Sequence, residues 1–411
     1  MAPPLATEAK AAGAPSLAVE GPRYPEVGVI AVVAEPWGGM WLSRQQILTR
    51  LSAWFHVAWV DPAVGWRRLW TGGAGLPIGQ LDSTPPPANG FAVCRQSITN
   101  PKFHRPGALA RFTARRHLAA ARNEPARRGC KRFVLYVWQP KFAGALDLVD
   151  HDVSCYHIAD EYSFSDMETP VSDRERALIS RVDQVIVHSP ALLEKKGKIN
   201  PSTSYITNGV DYHSFAEDHP EPEDLASIPH PRIGYIGRIK VQLDWELLDA
   251  LSASRPDWQF VFVGPEGFLG ESEPLARSVF ARENVHVLGP KDVTDIPAYT
   301  QNMDVCLLCY RLNAYTRYIF PLKLHEYLAA GRPVVGSGIR SLEAFSDVVR
   351  IAGDPEEWSA AIEDALGPAE SGEERIEARR RVAGQYDWGA LVACIGETLC
   401  THLGITPREK E

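Results

Sequence analysis

The chain has 411 residues, 45% hydrophobic and 23% charged, with 43 Lys and Arg against 51 Asp and Glu for a formal net charge of -8. Such a length exceeds one ordinary core and predicts two domains, and the composition is that of a soluble globular protein. The acidic total argues against a nucleic-acid partner, and seven scattered cysteines argue against a disulfide framework and for a reducing cytoplasm.

Residues 1–25, rich in Ala and Pro without a continuous apolar run, read as a disordered tail and not as a signal peptide. No stretch approaches the roughly 20 apolar residues of a membrane span. From Val27 the pattern becomes regular. "VGVIAVVAE" is an apolar run suited to a strand covered on both faces. "PWGGM" breaks it, "WLSRQQILTRLSAWF" has helical spacing, and "HVAWVDP" is a second strand, which makes a βαβ unit. "RFVLYVWQP", "VSCYHIADEY", "VDQVIVHSP" and "TSYITNGVD" continue the alternation, so residues 26–218 form one doubly wound domain. The proline-rich segment 219–231 reads as a linker. "RIGYIGRI", "WQFVFVGP", "NVHVLG", "DVCLLCY", "PVVGSG" and "VVRIAG" then place a second domain over 232–385. The fold class is therefore α/β, with two Rossmann-like doubly wound domains facing a central cleft, where the carboxyl ends of both sheets meet ligands.

The most informative stretch is "PLKLHEYLAAGRPVV", residues 321–335. Pro321 suits the first helical position, and Gly331 before Arg332 and Pro333 ends the helix. The free N–H groups at the helix start, Leu322 among them, form an anion site. Lys323 adds a full charge, and Glu326, three residues on, shares its face and offers a carboxylate to ribose hydroxyls. A surface i,i+3 ion pair is the plain alternative. His325 points elsewhere and reads as a packed or surface histidine.

With "YIGRI", "DWQFVFVGP" and "NVHVLGPKDVTDIPAYTQNMDVCLLCYRLNAYTR", this stretch resembles the C-terminal half of GT-B glycosyltransferases, closest to the bacterial family 4-like (group 1) enzymes of surface polysaccharide synthesis. The resemblance covers residues 230–355, and 27–212 through topology and "NGVD" at 208–211. It implies a metal-independent hexosyltransferase without a cofactor. A nucleotide diphosphate sugar, a UDP-sugar by family frequency, is the donor, and a saccharide or lipid-linked saccharide is the acceptor. Lys323 then corresponds to the diphosphate contact and Glu326 to the ribose carboxylate, with Arg238 also facing phosphate and Gly237 allowing close backbone approach. Asn313 and Thr316 face the cleft in related sequences, a loop-capping role being the alternative. Tyr318 stands where many family members have a second glutamate, and "KVQLD" replaces their usual lysine–glycine pair.

On the other side, Asp160 and Glu161 end a strand. Asp160 is the candidate general base for the acceptor hydroxyl, with Glu161 in reserve; a capping role is the alternative. Glu35, Gly38, Gly39 and Arg44 surround the turn after the first strand and are candidates for donor-sugar or acceptor contacts. Trp37 and Trp41 are candidates for stacking on a sugar or for packing. Cys306 and Cys309, three apart in a strand, face opposite sides and are read as core. Residues 101–132 carry ten Lys or Arg and one acidic residue. They suit peripheral contact with an anionic membrane at its inner face, or a solvated helix. Residues 386–411 are expected, by the resemblance, to form a helix returning to the first domain. A nucleotide-sugar epimerase of the same fold and a non-catalytic sugar-nucleotide-binding protein are the competing readings.

Overall fold

The computed structural model describes residues 21–38, 41–65, 90–96, 100–103 and 105–406. Seven parallel strands form the first sheet: β1 (Val27–Val32), β2 (His56–Val60), β3 (Phe91–Cys94), β4 (Arg132–Val137), β5 (Val153–Ile158), β6 (Gln184–Val187) and β7 (Thr203–Tyr205). Their order is β3-β2-β1-β4-β5-β6-β7. The second sheet comprises β8 (Arg232–Ile236), β9 (Gln259–Val263), β10 (Val285–Gly289), β11 (Val305–Leu308), β12 (Val334–Ser337) and β13 (Val349–Ala352), in the order β10-β9-β8-β11-β12-β13. Both sheets are doubly wound, and in each the winding reverses beside the first strand, between β1 and β4 and between β8 and β11. Crevices open beyond the carboxyl ends of the strands at such reversals.

The continuous apolar runs have the expected cause. Along β1, Val27, Val29 and Ala31 enter one buried cluster while Ile30 and Val32 enter another on the opposite face. Cys306 and Cys309 likewise part, one to each face of the second sheet. The strand β3 has no counterpart in the sequence reading. It is four residues long, sits at the sheet edge, and buries only Phe91, so it lacks the long apolar run that marks its neighbours.

The two domains are joined by two crossings that lie side by side. Val210 N–H donates to the Tyr386 carbonyl (3.0 Å), and Trp388 N–H returns a bond to the Val210 carbonyl (3.0 Å). Beyond this point the helix Trp388–His402 leaves the second domain. Trp388, Val392, Ile395 and Leu399 are buried in the first domain's cluster, beside Tyr24, Phe55 and Val57. The Asp387 side chain caps this helix by accepting from Gly389 N–H (2.7 Å). Trp388→Ala removes a fully buried ring from a cluster that does not collapse easily. We expect it to lower unfolding free energy by about 3–5 kcal/mol. Amide exchange should accelerate first in β1 and β2, not in the second sheet, because the helix serves the first domain's core.

Candidate active site in the interdomain cleft

The second domain supplies the positive wall. The helix Leu322–Ala329 starts one residue later than the sequence indicates, with Pro321 as its extended N-cap. Bonds from Gly331 N–H to the Leu328 carbonyl and from Arg332 N–H to the Tyr327 carbonyl, each 3.0 Å, close its far end. Tyr327 fastens the helix to the end of β8, its hydroxyl accepting from Ile236 N–H (2.9 Å) and donating to the Ile236 carbonyl (3.2 Å). Lys323 lies one turn earlier on the same face and so points at the same strand end. There its Nζ donates to the Tyr235 (3.1 Å) and Tyr310 (3.3 Å) hydroxyls. Tyr235 in turn donates to the Arg238 carbonyl (2.9 Å), which ties the lysine to the loop after β8.

That loop depends on two glycines. Gly237 has φ +137° and Gly264, at the end of β9, has φ +140°. A Cβ on Gly264 would lie 2.3 Å from the Gly237 carbonyl oxygen, and one on Gly237 would lie 2.9 Å from Lys323 Nζ. Only glycine allows the two turns and the lysine to approach this closely. Arg238 follows, exposed, and Lys240, half-buried, completes a group of three cations.

Lys240 opens the "KVQLD" segment two residues after Arg238, and the sequence alone gives it no role. Burial, then repulsion from Lys323, push its pKa down to about 8, partly offset by Asp160 across the cleft. Glu326 is pushed the other way, up to about 7, by burial, with Lys323 opposing. No side chain among the described residues hydrogen-bonds the Glu326 carboxylate. His325 is fully buried against Tyr386, ring centroids 4.1 Å apart, with both ring nitrogens unpaired and a pKa lowered by burial to about 3.

The first domain supplies the facing wall. Asp160, just past β5, has its pKa raised by burial to about 6 despite a hydrogen bond from Tyr315 and the attraction of Lys240. The Tyr315 hydroxyl reaches Asp160 Oδ2 from the other domain at 3.0 Å. Glu161 takes a different direction. Only 3% exposed, it faces Lys195 and Lys196 at 3.3 Å each and accepts from Ser163 N–H, away from the cleft. The two adjacent carboxylates thus part, Glu161 drawn inward by the two lysines and Asp160 left toward the cleft.

Asn313 and Thr316 build their own loop. Asn313 Oδ1 accepts from Tyr315 N–H (3.0 Å) and Thr316 N–H (2.8 Å), while Thr316 Oγ1 donates to the Arg311 carbonyl (2.6 Å). Asn313 Nδ2 also donates to Asp166 of the first domain (2.8 Å). Their geometry is that of the loop-capping alternative. Glu35 and Arg44 form an ion pair, with the Arg44 guanidinium 5.9 Å from the Trp138 ring centroid. Gly38 turns the chain with φ +99°, and Gly39 lies outside the described residues. Trp37 is buried against Trp59 and Phe91 and holds Asp61 through its backbone N–H (2.7 Å), so it packs. Among the described residues no three His, Cys, Asp or Glu side chains converge on one point. Leu322 packs its side chain on the first domain's core, which leaves its backbone N–H as the group available at the helix start.

The raised Glu326 and Asp160 carboxyls bind protons in the folded chain that the unfolded chain has released. Their contribution is full below the unfolded values of 4.5 and 3.8 and is lost as pH rises through about 7 and 6. Lys240 acts oppositely, since the unfolded ammonium keeps a proton up to 10.5 that the folded one loses near 8, so its term improves stability between those values. Glu326→Gln is expected to raise the melting temperature at pH 8 and to flatten the decline between pH 4.5 and 7. Tyr235→Phe, which removes one of the two hydroxyls that hold Lys323 and the donor to the Arg238 carbonyl, is expected to lower the melting temperature by a few degrees in scanning calorimetry.

Residues 230–367 match the family model described as Glycosyl transferases group 1. Over 236 residues the chain is 32% identical to a protein of Bacillus subtilis (strain 168) named "Putative teichuronic acid biosynthesis glycosyltransferase TuaH"; the match covers 54% of this chain and 57% of that relative. The chain thus spans a little over half the length of the curated relative it matches. Among solved structures, one described as trehalose-6-phosphate from E. coli bound with UDP-2-fluoro glucose superposes with a TM-score of 0.65 at 13% identity, covering 93% of this chain and 100% of the other. An alpha,alpha-trehalose-phosphate synthase (UDP-forming) from Burkholderia xenovorans, in complex with glucose-6-phosphate, gives a TM-score of 0.60 at 12% identity over 91% and 100% of the two chains. At that identity the likeness shows fold alone. Two parallel-sheet domains in this arrangement make the GT-B fold, and the segment that matches the Glycosyl transferases group 1 model, residues 230–367, lies in its second domain.

Proposed function

We propose that the protein is a glycosyltransferase that moves a sugar from a UDP-sugar to a saccharide or lipid-linked saccharide acceptor in surface polysaccharide synthesis. The observation that carries this is the cluster of Arg238, Lys240 and Lys323 around the β8 end, with Glu326 beside it. Lys240 is depressed first by burial and then by Lys323, with a smaller push from Arg238, and an arriving anion would favour its charged form. A nucleotide diphosphate fits. Its phosphates meet the cations and the start of the helix Leu322–Ala329, and its ribose hydroxyls meet Glu326. A relative named for teichuronic acid biosynthesis and a structural neighbour bound with UDP-2-fluoro glucose agree with this reading.

In the reaction, charge grows on the departing diphosphate, and preorganised cations stabilise it there. The same charges take the part that a metal would play, and we propose a metal-independent enzyme on that ground. Asp160 accepts the proton of the acceptor hydroxyl; a carboxyl already raised to about 6 is a stronger base than an ordinary aspartate and is ionised near neutral pH. The basic helix Gly107–Arg127, with Arg111, Arg115 and Arg116 exposed around the exposed Phe112, is suited to rest on an anionic membrane where a lipid-linked acceptor is found. No helix among the described residues is long and apolar enough to cross a membrane.

Calorimetric titration of UDP, dTDP and GDP tests the donor site. UDP is expected to bind, and Lys323→Ala and Glu326→Ala to weaken it at least ten-fold; if no nucleotide binds the folded protein, the donor assignment fails. Asp160→Asn is expected to lower kcat about 10²–10⁴-fold while UDP affinity changes little. Release of UDP from a UDP-sugar only when a saccharide is added distinguishes transfer from epimerisation and from binding without turnover.

A further inference from the structure

The first sheet reverses its winding between β1 and β4, and β5 lies next to β4. Neighbouring strands are about 4.8 Å apart, so the side chains just past these three ends form a row. Asp160 stands at one end of it, past β5. Past β4 come Trp138 and Lys141; past β1 comes Glu35, with Arg44 folded back above Trp138. Lys102 lies further along, bridged through its backbone to Gly65 beyond β2.

The pairing of charges along this row is incomplete: Asp61, just past β2, accepts from Trp37 N–H and the Trp59 indole and not from a lysine. Arg44 is paired with Glu35, but Lys141 and Lys102 meet no carboxylate among the described residues. Burial, then Lys102 and Arg44, lower the pKa of Lys141, so these cations sense one another. Arg44 also feels Asp160. Two donors are left over as well. Trp138 is 1% exposed, with His157 stacked on its ring at 4.3 Å, and its Nε1 has no acceptor; Arg44 Nε is buried and equally without one. A buried donor without an acceptor costs about 1–3 kcal/mol, and an oxygen anion bound here would remove that cost.

We propose that Arg44, Lys141 and Lys102, together with the Trp138 indole N–H, form a second anion subsite that holds a phosphate or carboxylate group on the acceptor sugar whose hydroxyl meets Asp160. The proposal rests on the glycosyltransferase reading and adds to it the chemical class of the acceptor, an anionic saccharide. The two anion sites lie on opposite walls of the cleft, the donor's on the second domain and the acceptor's on the first, at the winding reversal of each sheet. A neutral sugar would leave the lysines and the orphan donors unanswered.

Glucose, glucose 6-phosphate and glucuronic acid would be titrated into the full chain, with and without UDP, and into Lys141→Ala, Lys102→Ala and the double variant. At least one of the two anionic sugars is expected to bind ten-fold or more tightly than glucose, and which one does so identifies phosphate or carboxylate. Each single variant should reduce that preference about three-fold and the double variant should abolish it, with UDP affinity changing less than two-fold. Equal binding of all three sugars, absence of binding by any, or a preference that survives in the double variant overturns the subsite. If the sugars show no preference but vesicles containing anionic lipid bind the wild type and not the double variant, the row belongs to a membrane surface and the proposal is also overturned. UDP binding that depends on Lys323 can persist through any of these results, so loss of the subsite and loss of the donor site are read separately.

Discussion

The cleft is organised by one electrostatic fact: Lys323 is held at the end of β8 by two tyrosine hydroxyls and not by a carboxylate. A salt bridge there would neutralise the lysine and occupy it. Hydroxyls fix its position and leave its charge to act outward. Much else in the second domain serves this placement. Tyr327 locks the helix to β8, the two glycines let the turns close over the ammonium, and Tyr235 passes the constraint on to the backbone of Arg238. Lys240 and Glu326 then take the protonation behaviour of groups waiting for a partner, the base weakened and the acid weakened too.

Neither domain completes the cleft alone. The Tyr315 hydroxyl crosses from the second domain to Asp160, Lys240 faces the same carboxylate, and Asp166 of the first domain receives both Arg311 (2.6 Å) and Asn313. These contacts are short, directional and polar, whereas the paired crossings at Val210 and Tyr386 belong to the buried frame. The latch also has an apolar part, since Leu322 and Tyr318 of the second domain pack on the first domain's clusters, so opening the cleft would expose apolar surface as well as break polar contacts.

Most of the architecture was legible because both sheets are covered on both faces, so the inner strands are apolar runs between turn residues. The outer strands β3, β7 and β10 bury little, and β3 was the one that left no readable signal. The arrangement of Lys323 and Glu326 was legible for a related reason: they lie in one short helix whose ends are marked by Pro321 and Gly331, and local spacing alone puts them on one face. Lys240 was not, because its role comes from where the loop after β8 folds back, and a lone lysine in "GRIKVQLD" carries no periodic signal. The pair Asp160 and Glu161 was half legible. Sequence placed both at a strand end, but which of them faces the cleft is set by Lys195 and Lys196, more than thirty residues away, which draw Glu161 inward. Asn313 and Thr316 show the converse, polar residues in a cleft loop that spend their hydrogen bonds on the loop itself.

Tyr318 carries the comparison with related sequences one step further. Where many of them place a glutamate eight residues before the position of Glu326, this chain turns a tyrosine into the first domain. It is 4% exposed, its hydroxyl donates to Glu168 (2.7 Å), and Lys195 Nζ lies 4.7 Å from its ring centroid. Lys195 in turn bridges Glu168 (2.7 Å) and Glu161. One position thus joins the latch between the domains to the ion pairs that hold Glu161 out of the cleft. A glutamate at 318 in the same orientation would face Glu168 across the gap left by a hydroxyl, and two carboxylates there would repel. The substitution and the carboxylates around it are therefore mutually consistent. Position 318 is thus occupied by packing and by the contact to Glu168, and is not a group held free toward the cleft.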